Sequence, residues 1–159
     1  MPRKIDLNSV KSIVSQLKDS FVIKAWRGFN TVAVLYFSVK NPDNGRTELW
    51  YLNSHHSDWK FYDSENDMLV SFNSSLTEID TFFMANTSFE IFDASISDNA
   101  KLKFSCSRGI TAEFDLIEPD EDGTECYNLW VLELPNDECL TVNSEFELLL
   151  YSESEDVYV

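Results

Sequence analysis

The chain has 159 residues, 43% of them apolar and 14% aromatic, with a formal net charge of −16. That apolar share is enough to build a core, which excludes a chain kept unfolded by its charge. Four glycines and four prolines exclude a linker or low-complexity protein, and no run reaches the ~20 apolar residues of a membrane helix.

The charge is unevenly placed. Residues 1–60 hold nine Lys/Arg against five Asp/Glu, whereas residues 61–159 hold three against twenty-three. Self-repulsion of this kind opposes compactness. A basic partner, attracted at long range and held at close range, gives the charge a use. Cys106, Cys126 and Cys139 form an odd set without disulfide or metal spacing, as expected of reduced thiols in a cytosol. Behind the Arg3-Lys4 pair stands no apolar stretch of the secretion-signal kind. The expectation is one soluble cytoplasmic domain over residues 1–159.

In chain order, the first element is a helix. Val10, Ile13, Val14 and Leu17 recur at helical spacing, with Asn8 or Ser9 placed to cap it. Strands follow at 21–26 and 31–39, the second apolar on both faces like a strand covered on both sides. Asn41-Pro-Asp-Asn-Gly45 predicts a turn back into a strand at 46–53. Closing that turn on Lys40 and Arg46 sets Tyr36 opposite Trp50 and Phe37 opposite Leu49. After a polar loop at 53–58, Ser75-Leu-Thr-Glu78 is a capping box. It opens a short helix whose apolar face is Leu76, Ile79, Phe82 and Phe83.

A strand at 88–96 leads to a hairpin of 101–106 with 110–116. A two-residue turn would mix the hairpin's faces. A three-residue loop, Ser107-Arg108-Gly109 with Gly left-handed, pairs Cys106 with Ile110, Phe104 with Ala112 and Leu102 with Phe114. On the wet face it sets Lys103 against Glu113 and Lys101 against Asp115, and a one-residue slip would reverse the two faces. Strands at 126–134 and 145–151 complete the set, before an acidic tail at 152–159 that is expected to be flexible. The predicted fold is α+β: a largely antiparallel sheet or open barrel of about seven or eight strands, with an N-terminal helix and a short middle helix.

Chemistry is sparse. Glycine stands only at 28, 45, 109 and 123, so neither a phosphate-cradling loop nor a dinucleotide fingerprint can be written. His55 and His56 are the two histidines. With Asp58, and Glu65 or Asp67 as a fourth donor, they are the candidate metal ligands, and an exposed polar loop is the simpler reading. Cys106 falls on an apolar strand face, while Cys126 and Cys139 flank a strand and are expected to be partly exposed. The acids from Glu118 to Glu125 suggest a calcium loop. Their contiguity, and Leu129 six residues after Gly123, break that spacing. Trp26, Trp50 and Trp59 beside basic residues suggest base stacking, but the acidic remainder opposes nucleic acid. No catalytic residue, metal or cofactor is assigned.

Lys101 and Lys103 answer the acids opposite them, which leaves other carboxylates as candidate partner-binding residues. These are Asp120, Glu121, Asp122 and Glu125, then Asp137 and Glu138, then Glu153, Glu155 and Asp156. Phe61, Tyr62, Tyr127 and Trp130 are candidate aromatic anchors beside them. In size, acidity, α+β make-up and lack of a catalytic motif, the whole chain resembles immunity proteins of bacterial polymorphic and contact-dependent toxin systems. The resemblance is one of type. It implies a cytosolic, non-catalytic inhibitor that covers a basic protein partner, a cognate toxin domain such as a nuclease. A nucleic-acid mimic and an adaptor are the alternatives within the binding class, and a metal- or thiol-dependent enzyme is the alternative outside it.

Overall fold

A computed structural model describes residues 2–115, 128–143 and 145–152. The described residues form β1 (Arg3–Lys4), α1 (Leu7–Ser15), β2 (Phe21–Arg27), β3 (Ala33–Lys40), β4 (Thr47–Asn53), β5 (Asp58–Tyr62) and β6 (Met68–Ser71). After these come α2 (Leu76–Ala85), β7 (Phe89–Ile96), β8 (Leu102–Cys106), β9 (Thr111–Asp115), β10 (Asn128–Glu133), β11 (Glu138–Asn143) and β12 (Leu148–Ser152). The strands make one open antiparallel sheet in the order β1-β12-β11-β10-β4-β3-β2-β7-β8-β9-β5-β6. The α+β class and antiparallel sheet agree with the sequence, but the described residues hold twelve strands. The four unforeseen strands, β1, β5, β6 and β11, have two to six residues each. β1 and β6 are too short for a clear alternation and are strands because a neighbour pairs with them.

The sheet folds over on itself at a weak seam. β2 and β7 pair only through Phe21–Glu90 and Val22–Phe89. Beyond Val22, α2 packs against β2 instead, and Arg27 fastens it through Nε to Asp80 Oδ1 at 2.8 Å and Nη2 to Oδ2 at 3.1 Å. Inner faces from the two sides of the seam meet: the rings of Phe37 and Phe104 lie 5.5 Å apart. Two buried indoles close the core by donating to backbone carbonyls, Trp59 to Thr31 at 2.7 Å and Trp130 to Ala100 at 3.1 Å.

Both helices are where the sequence puts them. α1 buries Val10 and Val14, with Leu17 just beyond its end. Its cap is Asp6, not Asn8 or Ser9: the Asp6 carboxylate accepts the Ser9 N–H at 2.9 Å. A carboxylate here also faces the positive end of the helix dipole. α2 has the expected capping box between Ser75 and Glu78.

The first hairpin is one residue out of its predicted register. Lys40 pairs with Thr47, Phe37 with Trp50 and Tyr36 with Tyr51, because Asn41 N–H donates to Arg46 C=O and extends the ladder. The shift brings Phe37 and Trp50 together on the buried face and separates Lys40 from Arg46. Core burial outweighs the turn-length rule. β3 is not equally covered on both sides. Ala33, Leu35, Phe37 and Val39 are buried, whereas the opposite face is half-open. There Tyr36 sits edge-on between Trp26 and Tyr51, with ring centroids 4.4 and 4.2 Å away.

The second hairpin has the predicted register: Leu102–Phe114, Lys103–Glu113 and Phe104–Ala112, closed by Cys106 N–H to Ile110 C=O. Gly109 is left-handed at φ +71 and Arg108 joins it at φ +63. At the other end of the sheet, Ser152 pairs with Glu138, so the predicted tail begins inside a strand. Residues 153–159 lie outside the described residues.

Candidate protein-binding surface

Most of the acids singled out in the sequence, Asp120, Glu121, Asp122, Glu125, Glu153, Glu155 and Asp156, lie outside the described residues. Asp137 and Glu138 are described and exposed together at the β10–β11 turn, where Asn136 and Asp137 both take positive φ. Of the proposed aromatic anchors, Phe61 and Trp130 are fully buried and unavailable to a partner. Tyr62 is half-buried and already bonded, and Tyr127 lies outside the described residues. Trp50 and Trp59 are core residues.

The strongest electrostatic feature is on the outer face of β5 and β9. Glu113 is only 6% exposed, so its face is not the wet surface the alternation suggested. Its Oε1 accepts the Tyr62 hydroxyl at 2.6 Å. Oε2 faces Lys101 Nζ at 3.3 Å and Lys60 Nζ at 3.6 Å, and Lys101 also reaches Asp115 at 3.9 Å. The described ion pairs of Glu113 therefore go to Lys60 and Lys101, although Lys103 stands opposite it in the ladder. Alternation of Trp59 and Phe61 inward with Asp58, Lys60 and Tyr62 outward was the signal in the sequence for this cluster. These groups open into a cleft of about 360 Å³ lined also by Asn66 and Met68.

Burial pushes the Glu113 pKa up, but the Tyr62 hydroxyl and the two ammonium groups outweigh it and hold the carboxyl below its ordinary range. Burial, and then the Glu113 charge, push the Tyr62 phenol up to about 12. Asp58 goes the other way. Partial burial raises its pKa, the nearby Lys60 opposes this, and Asp115 and Glu113 add to the rise. An acid whose pKa is raised by folding disfavours the fold once it is ionised. Asp58→Asn is therefore expected to stabilise the protein at pH 7 by roughly 0.5 kcal/mol. The gain should fade as pH falls through the raised folded pKa and be gone below the carboxyl's ordinary 3.8, read from urea midpoints at pH 7 and in acid.

The remaining groups hold little chemistry. His55 and His56 are exposed on the β4–β5 loop, with His55 at φ +42. Among the described residues no group of three His, Cys, Asp or Glu side chains is placed to hold a metal ion. Cys106 is buried as expected, which pushes its thiol up to about 12. Cys139 is also buried, contrary to its expected partial exposure, because it lies within β11, paired to Glu133 of β10 on one side and Tyr151 of β12 on the other. No described helix is long and apolar enough to cross a membrane.

What the surface does display is charge and apolar side chains. Five described cations, Lys4, Lys11, Arg27, Lys60 and Lys101, bridge five carboxylates. Of the exposed large apolar side chains among the described residues, Phe21, Ile23 and Leu49 lie on the outer face of β2 and β4, and Met68, Leu69 and Leu76 where β6 leads into α2, while Phe29, Met84, Phe92 and Phe146 stand singly elsewhere. Fold and surface together describe an open antiparallel α+β protein rich in acidic side chains. No family model matches the chain, and searches of curated proteins and of solved structures find no match.

Proposed function

We propose that the chain is a non-catalytic acidic binding protein that neutralises a basic protein partner, acting as a cytoplasmic immunity protein that inhibits a cognate bacterial toxin. The observation that carries the reading is the carboxylate surplus. Residues 61–115, all described, hold ten Asp/Glu against three Lys/Arg, and residues 61–100 contain no Lys or Arg. Glu78, Asp80, Asp98, Glu113 and Asp115 have partners within the fold, and the net excess beyond them raises self-repulsion. A basic partner turns it into faster association and selectivity. Such a role asks no chemistry of this chain.

The test is capture from the native host's lysate with tagged protein, elution in a salt gradient, and identification by mass spectrometry. One basic protein, recovered stoichiometrically and released by salt, is the expected outcome. Its own activity, a nuclease assay first, should then be suppressed at equimolar chain. Recovery of no basic protein, or of one whose activity the chain leaves untouched, would sink the reading.

A further inference from the structure

Resting on that reading, we infer that the basic partner seats on the corner where β6 turns into α2, with Met68, Leu69 and Leu76 as its apolar anchors. These side chains are 58%, 42% and 44% exposed. They lie on two elements packed against each other. Met68 also forms the lip of the cleft above Glu113. Large apolar side chains exposed together mark interaction sites more often than chance surface.

Charge decides between the two apolar patches. Phe21, Ile23 and Leu49 share their face with the exposed Lys24 and Lys40, and Lys24 is held 4.7 Å over the Trp26 ring. A basic partner would meet like charge there. At the β6–α2 corner, Glu65, Asp67 and Glu78 are exposed. The nearest cations, Lys60 and Lys101, are engaged by Glu113. An apolar centre with an acidic rim fits a basic surface carrying apolar side chains of its own.

The partner docks here through side chains and not by extending the sheet. β6 is the last strand of the sheet. Its C-terminal residue is closed by Ser74, which accepts the Ser71 N–H through Oγ and donates its own N–H to the Ser71 carbonyl, both at 3.0 Å. A register shift between β5 and β6 also bends the edge.

The test is an NMR titration of the labelled full chain with two probes of equal charge, a short lysine–leucine peptide and a lysine-only peptide. The lysine–leucine peptide should bind more tightly and shift the amides of Asn66, Met68, Leu69 and Leu76. The double substitution Leu69→Ser with Leu76→Ser should weaken it about tenfold, with an unchanged circular dichroism spectrum. Glu65→Gln with Asp67→Asn should flatten the salt dependence while leaving the turn in place, because the Asp63 carboxylate holds it by accepting the backbone N–H groups of residues 65 and 67 at 2.9 and 3.0 Å. Shifts centred on Phe21, Ile23 and Leu49, or an unaltered affinity in the double variant, would overturn this corner and leave the proposed function standing. Binding of neither peptide also overturns the corner, and an empty lysate capture besides would remove the function with it.

Discussion

Replacing Glu113 with alanine should lower the stability of the protein by about 3 kcal/mol at pH 7. For a domain of this size that is roughly 6–12 °C in Tm. One carboxylate joins three strands: Tyr62 and Lys60 come from β5, Lys101 immediately precedes β8, and Glu113 itself lies on β9. Without it, two part-buried ammonium groups face each other and the Tyr62 hydroxyl loses its acceptor. The stranded partners cost more than the lost attraction. Glu113→Gln should lose less, since an amide oxygen still accepts from Tyr62. The pH dependence has a definite sign. A carboxyl held below its ordinary 4.5 in the fold stabilises fully above that value and loses the contribution as pH falls through its lower folded value. The gap between wild type and Glu113→Ala should therefore be widest above pH 4.5 and narrow as pH falls below it. A urea midpoint shift under about 1 kcal/mol at pH 7, or a gap that widens in acid, would contradict this account.

Local rules carried much of the fold because they act over few residues. Ser75 and Glu78 state their own capping box, and the β8–β9 loop admits one register that keeps Leu102, Phe104 and Cys106 on one face. Where two local rules compete, tertiary packing chose. The Asn41–Gly45 turn allows two closures, and burial of Phe37 with Trp50 selected the second. β1 could not be read from Arg3 and Lys4, which are strand only because Leu149 and Leu150 lie opposite. The candidate site was less legible still. Counting opposite charges across one hairpin pairs Glu113 with Lys103, yet Lys60 approaches from β5, fifty-three residues before Glu113 in sequence. No single-hairpin argument reaches that far. Composition did reveal the acidic excess, and the packing of β6 against α2 showed which apolar side chains stand beside part of it.

Phe61→Ala should lower stability by about 4 kcal/mol. Phe61 is fully buried on β5. Its ring centroid lies 5.1 to 6.4 Å from those of Phe82, Phe83, Trp59, Phe89 and Phe114. The ring thus joins α2 to the sheet. An alanine leaves a void that β5, paired with β6 on one side and β9 on the other, cannot close by moving inward. Phe61→Leu refills most of it and should cost about 1.5 kcal/mol. The loss should also be local. α2 rests on Phe61 through Phe82 and Phe83, whereas α1 packs on β7. Hydrogen exchange should therefore accelerate in α2 well before α1. Equal acceleration in both helices would mean that Phe61 supports the whole core and does not dock α2 in particular. Because Leu76 opens α2, a variant that loosens this helix while the protein remains folded should also bind a basic partner less tightly at the β6–α2 corner. Binding unaffected by the loosening would place the partner elsewhere.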